Sequence, residues 1–229
     1  MAEAAEAGKL PQPLVECLGK DPVKKMLKLS VRWTSVMVLF LCAVSVLAPA
    51  EAEPTRIVWD LAHPVTWDLF RGTPPGDAAH RTEAAAIHMT IRWHASYSVS
   101  STSGTNWIGQ LASTTVTNTM EPTLSWAVPG KTYASVLDHE QLHFDLNEVY
   151  RRKLECLLQE TATCSGATQQ AAVDLLNANL HQTANVVLQK LSDMQAQYDS
   201  QTAHGNNSAE QARWQISIDE WLAAPTTAP

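Results

Sequence analysis

The chain has 229 residues, 16 Lys+Arg against 23 Asp+Glu, a formal net charge of −7 and a 45% hydrophobic composition. There is ample apolar material for a folded core, and the acidic balance argues against nucleic acid or an anionic membrane surface as a partner. No internal repeat is visible.

Residues 1–25 have no clear period and read as an unstructured leader. Met26 then precedes a signal-peptide pattern: Lys28 and Arg32 form a basic start, Val36 to Leu47 is an apolar run, and Ala50-x-Ala52 supplies small residues for cleavage. Translation is expected to start at Met26, with cleavage after Ala52 and export of residues 53–229 as one domain. The apolar run falls short of the roughly 20 residues a membrane span needs, so no stable span is expected after cleavage. The alternative is a tether to the membrane through an uncleaved signal anchor. Residues 1–52 hold 6 of the Lys+Arg and 5 of the Asp+Glu, which leaves 10 basic and 18 acidic residues in the exported part. Cys17 and Cys42 leave with the leader. Cys156 and Cys164 remain, and in an oxidising compartment they are expected to pair, clipping a Thr-rich turn between two helices.

From Glu53 to Gly130 the pattern favours strands and loops. Ile87, Met89, Ile91 and Trp93 alternate with His88, Thr90, Arg92 and His94, as in a half-buried strand whose two histidines face solvent. Trp107 to Val116 and Thr123 to Val128 are further β-like segments, rich in Thr, Val and Trp. Proline and glycine punctuate them at Pro74-Pro75-Gly76, Pro122 and Pro129-Gly130. From Tyr133 the pattern becomes helical, with no Pro or Gly up to Leu158. A second helix is predicted from about Ala167 to Tyr198. A third runs from about Ser208 to Leu222, capped at Asn207-Ser208. The fold class is therefore α+β, a small N-terminal β-sheet packed on about three C-terminal helices.

The first helix carries His139-Glu140-Gln141-Leu142-His143. Residues four apart share a helix face, so two imidazoles can grip one metal ion. Glu140 lies about 100° further round, beside the ion, where it can act as a base toward water that Zn²⁺ acidifies. A catalytic zinc needs a third protein ligand. Asp145 and Glu148 are rotated away from His143, so the ligand must come from another segment. His204 is the first choice, because Gly205 beside it allows close backbone approach. Asp199 and His181 are rivals. A straight antiparallel return of the second helix puts His181 opposite His143 and makes Tyr198 overshoot by roughly 15–20 Å.

Three blocks together resemble a known family. The first is Val65-Thr66-Trp67-Asp68-Leu69-Phe70-Arg71-Gly72-Thr73-Pro74-Pro75, with Asp77-Ala78-Ala79 after it. The second is His139 to Leu146, with Glu148, Tyr150 and Arg152-Lys153-Leu154. The third is Tyr198-Asp199-x-x-Thr202-x-His204-Gly205, with Gln211 and Trp214. They look like the bacterial secreted family called domain of unknown function 922, assigned to zinc-dependent proteases of the zincin clan. Gln201 stands where that pattern has an acidic residue. The resemblance implies a zincin-like fold, a periplasmic or secreted location, and Tyr198, Asp199 and His204 as site residues. The expected function is hydrolysis of a peptide or protein substrate with one Zn²⁺ on His139, His143 and His204. Glu140 is the expected general base. Tyr198 is a donor to the developing oxyanion, and Asp199 an orienting group or alternative ligand. The competing reading is a non-catalytic metal-binding or structural module of the cell envelope.

Overall fold

Branched and aromatic side chains at alternate positions favour a pleated surface with one buried face. In the computed structural model, which describes residues 56–101 and 104–229, this pattern gives two long strands and several short ones. In chain order the elements are β1 (Ile57–Val58), β2 (Ala85–Ala86), β3 (Met89–Ser101), β4 (Trp107–Met120), β5 (Trp126–Ala127), α1 (Ala134–Glu160), β6 (Thr163–Gly166), α2 (Gln169–Thr202) and α3 (Ser208–Ala223). The fold is mixed helix and antiparallel sheet. The leader, with its expected start and cleavage site, lies outside the described residues. No helix among the described residues is long and apolar enough to cross a membrane.

β4 is the centre of the main sheet. β3 pairs along its whole length, while β1 pairs at Thr119–Met120 and β6 at Trp107–Gln110. The β3–β4 ladder shifts between Ser96 and Tyr97, a bulge that leaves Ala112 extra. β2 and β5 form a separate two-stranded ladder. His88 and His94 are exposed, on the solvent side of the strand pattern.

Ile91 and Trp93 of β3 and Val116 of β4 meet Leu142, Leu146, Tyr150 and Leu154 of α1 in one core. α2 adds Leu176, Leu180, Ala184, Val187, Leu191 and Met194 at spacings of three and four, a single stripe of a 3.6-residue helix. α3 closes the bundle with Trp214 and Ile218. It starts as its sequence predicts, with the Asn207 side chain accepting from Glu210 N–H at 3.3 Å.

The face of α1 toward β4 is also polar. Trp59 Nε1 donates to Asp145 Oδ1 at 2.7 Å, and Asn147 Nδ2 donates to Asn118 Oδ1 at 2.7 Å. Glu148 accepts from Arg151 Nε and Arg152 Nε, each at 2.9 Å. All four acceptors and donors on α1 and β4 are buried and bonded, which removes the penalty an unpaired buried polar group would carry.

The Trp67-x-x-Phe70-x-Gly72 phrase has a structural role. It forms a 3-10 turn whose end is bonded to the 121–125 segment, with Arg71 N–H on Pro122 O at 2.9 Å and Gly72 N–H on Ser125 O at 2.7 Å. A Cβ on Gly72 would lie 2.8 Å from Ser125 O, so only glycine fits that approach. Val65 N–H donates to Gln141 Oε1 at 2.7 Å, which ties the same loop to the helix carrying the histidines.

Two expectations change between α1 and α2. The Thr-rich turn is cut to Thr161 and Ala162 and leads straight into the strand β6. The expected disulfide is not formed: Cys156 and Cys164 are both buried thiols. Cys164 is held opposite Gly109 in the sheet, and Asn179 Nδ2 of α2 donates to its Sγ at 3.2 Å. With residues 163–166 fixed by the ladder, there is no loose turn left to clip.

β6 also sets the register of α2. A tight antiparallel return from Glu160 to Gln169 would place about position 186 opposite His143. The structure places Gln195 there, about nine residues or 13 Å further on. Four residues of strand span about 13 Å. β6 runs that distance along β4, away from the histidines, before α2 turns back. The overshoot expected for Tyr198 is cancelled by this displacement.

Candidate metal centre

The site is built on the N-terminal part of α1 and the C-terminal end of α2. His139 and His143 lie one turn apart, their rings edge to face with centroids 4.6 Å apart. Their Nε2 atoms are 3.1 Å apart. Asp199 Oδ1 lies 3.1 Å from His139 Nε2 and 3.0 Å from His143 Nε2. Three donor atoms thus form a nearly equilateral triangle, and His139, His143 and Asp199 are a group that can hold a metal ion. Donors on four-coordinate zinc lie about 3.3–3.6 Å apart, given bonds of about 2.0–2.2 Å. The triangle needs to open by only about 0.3 Å to match.

Orientation of the rings supports the same use. Gln195, four residues before Asp199 on α2, grips His143 twice. Its Nε2 donates to His143 O at 3.0 Å, and its Oε1 sits 2.5 Å from His143 Nδ1. An amide oxygen only accepts, so Nδ1 carries the proton and Nε2 presents its lone pair to Asp199. Two lone pairs facing each other at 3.0 Å need a proton or a cation between them. Burial opposes charge on His143, yet the hydrogen bond it donates to Asp199 and the charge of Glu140 outweigh it and raise its pKa. Burial dominates at His139 and lowers its pKa. Asp199 is pushed up by burial but held far below the usual carboxylate range by its bonds to the two imidazoles. Where a metal ion binds, it takes the place of that shared proton.

His204 stands beside the triangle. α2 ends at Thr202, and Ala203, His204 and Gly205 follow with φ of 49°, 52° and 80°. Two left-handed residues with side chains cost roughly 1–2 kcal/mol each. The reversal brings His204 Nδ1 to 3.2 Å from Asp199 Oδ1. The third donor to the triangle is therefore Asp199, and His204, the residue expected from sequence, touches that carboxylate. His181 is elsewhere, exposed and edge-on to Trp93 with centroids 5.1 Å apart.

Tyr198 is brought to the site in a different role from the expected oxyanion donor. Its ring stacks on His139 at 4.6 Å and meets His143 edge-on at 4.7 Å. Its hydroxyl is turned to the backbone and donates to His139 O at 3.3 Å. Burial drives its pKa far up, so the phenol stays neutral. It is a wall that fixes both imidazoles. Gln201 is structural too, accepting from Trp214 Nε1 at 2.9 Å.

Glu140 faces a cavity of about 250 Å³ that it shares with His139, His143, Asp199 and His204. The opposite wall is the run Glu83 to Ile87, which includes β2. Ile87 N–H donates to Glu140 Oε2 at 2.8 Å. Burial raises the Glu140 pKa to about 6, against opposition from the His143 charge and the Ile87 hydrogen bond. Sequence reading did not anticipate Gln195 or this wall. The one available signal for Gln195 was its i−4 spacing from Asp199. No protein-family profile matches the chain, and searches of curated proteins and of solved structures find no match.

Proposed function

We propose that the chain is a zinc-dependent hydrolase with a zincin-like arrangement, acting on amide bonds of a peptide or protein substrate. One observation carries this reading: a compact His-His-Asp donor triangle shares its cavity with the buried carboxylate of Glu140. Two imidazoles and a carboxylate suit zinc, which keeps a fourth position open in catalytic sites. Bound there, zinc supplies Lewis acidity toward a carbonyl and toward water. Glu140 takes a proton from the attacking water as its oxygen bonds to the carbonyl carbon. It returns that proton to the nitrogen as the C–N bond breaks. A carboxylate held at the cavity wall beside the donor triangle can serve both halves of that transfer. Asp199, Gln195 and Tyr198 hold the imidazoles in place. Ala84, Ala85 and Ala86 of the Glu83–Ile87 wall offer small side chains and backbone, a surface suited to an extended chain. The resemblance of the three sequence blocks to the secreted family named above points the same way, and export to the periplasm or beyond is part of the proposal.

Metal analysis of the purified exported part should give about one zinc per chain. Glu140→Gln should keep that zinc and lose hydrolysis of a peptide library by at least about 100-fold. Zinc retention with no hydrolysis by the parent protein would instead support the non-catalytic module. Retained hydrolysis in Glu140→Gln would remove Glu140 from the reaction.

A further inference from the structure

Two buried polar atoms near the site have no hydrogen-bond partner among the described residues: His139 Nδ1 and Gln211 Oε1. Their chemistry is complementary. His139 Nε2 is the atom that points into the donor triangle. If Nε2 offers its lone pair to a cation, the neutral ring carries its proton on Nδ1. That N–H is a donor without an acceptor. Gln211, on α3, is oriented from its other end, because its Nε2 donates to Ser135 O at 3.2 Å. A backbone carbonyl only accepts, so the amide cannot be reversed and its oxygen faces the other way. That oxygen is an acceptor without a donor.

Gly205 locates the two together. A Cβ built on Gly205 would lie 3.1 Å from His139 Cβ, 3.2 Å from His139 Cγ and 3.4 Å from Gln211 Oε1. Gly205 therefore lies against both His139 and Gln211. The left-handed φ of 80° at Gly205 reserves the position for glycine on backbone grounds as well. Each buried group left unbonded costs about 1–3 kcal/mol, and a hydrogen bond between these two would remove both penalties.

We propose that Gln211 is the positioning residue that accepts the His139 Nδ1–H, fixing the tautomer that turns Nε2 toward the metal. It mirrors Gln195, which does the same for His143 from α2. The proposal rests on the reading of the donor triangle as a metal site. Partners of this kind tune metal affinity by about 10- to 100-fold.

The test compares Gln211→Leu, which removes the acceptor, with Gln211→Glu, which keeps an acceptor oxygen and gives up the donor to Ser135. Zinc affinity is read by competition with a chromophoric chelator. The His139 tautomer is read by ¹⁵N NMR of the metal-free full-length protein. Gln211→Leu should bind zinc about 10- to 100-fold more weakly and lose Nδ1–H population. Gln211→Glu should bind within about threefold of the parent. Equal zinc affinity in Gln211→Leu and the parent overturns the proposal. So does an equal loss in both variants, which would mark a purely structural contact with Ser135. If the parent protein binds no zinc, the metal-site reading fails by itself, and an unchanged tautomer in Gln211→Leu overturns this proposal separately.

Discussion

Glu140→Gln should stabilise the metal-free protein at neutral pH while removing activity. Burial raises the Glu140 pKa from 4.5 to about 6. Folding therefore disfavours the ionised form by about 1.5 pH units, or about 2 kcal/mol. Below pH 4.5 the carboxyl is protonated in both folded and unfolded chains, and the penalty is absent. Between pH 4.5 and 6 the folded state holds the proton that the unfolded state has lost, so parent stability falls as pH rises. Above pH 6 the full penalty applies. Glutamine has no charge to desolvate, and its amide oxygen can still accept from Ile87 N–H. Urea unfolding of chelator-treated parent and variant at pH 4 and pH 7.5 measures the difference. The expected gain is about 2 kcal/mol at pH 7.5 and close to zero at pH 4. For a domain of this size that corresponds to a rise of about 4–8 °C in Tm at the higher pH. A gain that is the same at both pH values, or a loss at pH 7.5, refutes the desolvation reasoning.

Asp199→Ala removes one vertex of the donor triangle and should weaken zinc binding by more than about 100-fold. His204→Ala, which removes a hydrogen-bond partner of Asp199, should weaken it by about 10- to 100-fold. Competition titrations that reverse this order would make His204 a direct ligand in place of Asp199. Gly166→Ala would bring a Cβ to 2.4 Å from Ala172 N, a backbone atom that cannot yield. It should destabilise the fold by about 1–3 kcal/mol in urea unfolding, with an effect on zinc content only if α2 shifts. Leu146→Ala empties a fully buried position in the main core and should cost about 2–5 kcal/mol, with no change in metal stoichiometry.

The helices were legible because their periods are strong and uninterrupted. α1, α2 and α3 begin and end within about four residues of the spans read from Tyr133, Ala167 and Ser208. The pair His139 and His143 was legible for the same reason, since a known helix fixes which residues share a face. The third donor was harder, because it depends on how far α2 slides along α1. That distance is set by β6, and four residues reading Thr-Cys-Ser-Gly carry no clear strand pattern. The strand exists because β4 offers an open edge at Trp107–Gln110, a tertiary fact that no local window contains. Gln195 escaped notice for a related reason, and Gln211, though part of the third block, was given no role. Glutamines on long helices are usually solvated, and only the neighbouring imidazoles give these two a purpose.

The hydrogen bonds that α1 makes with β4 and with Trp59 have a mechanical consequence. A helix seated only on greasy contacts can roll on its bed, since one leucine replaces another at little loss. Asn147 on Asn118, and Asp145 on the Trp59 indole, act as teeth that mesh at a single setting. A roll of one residue, about 100°, would strand several of those groups in the dark interior. The bearing along which His139, Glu140 and His143 look out is thus locked from behind, by side chains that never meet whatever enters the cleft in front.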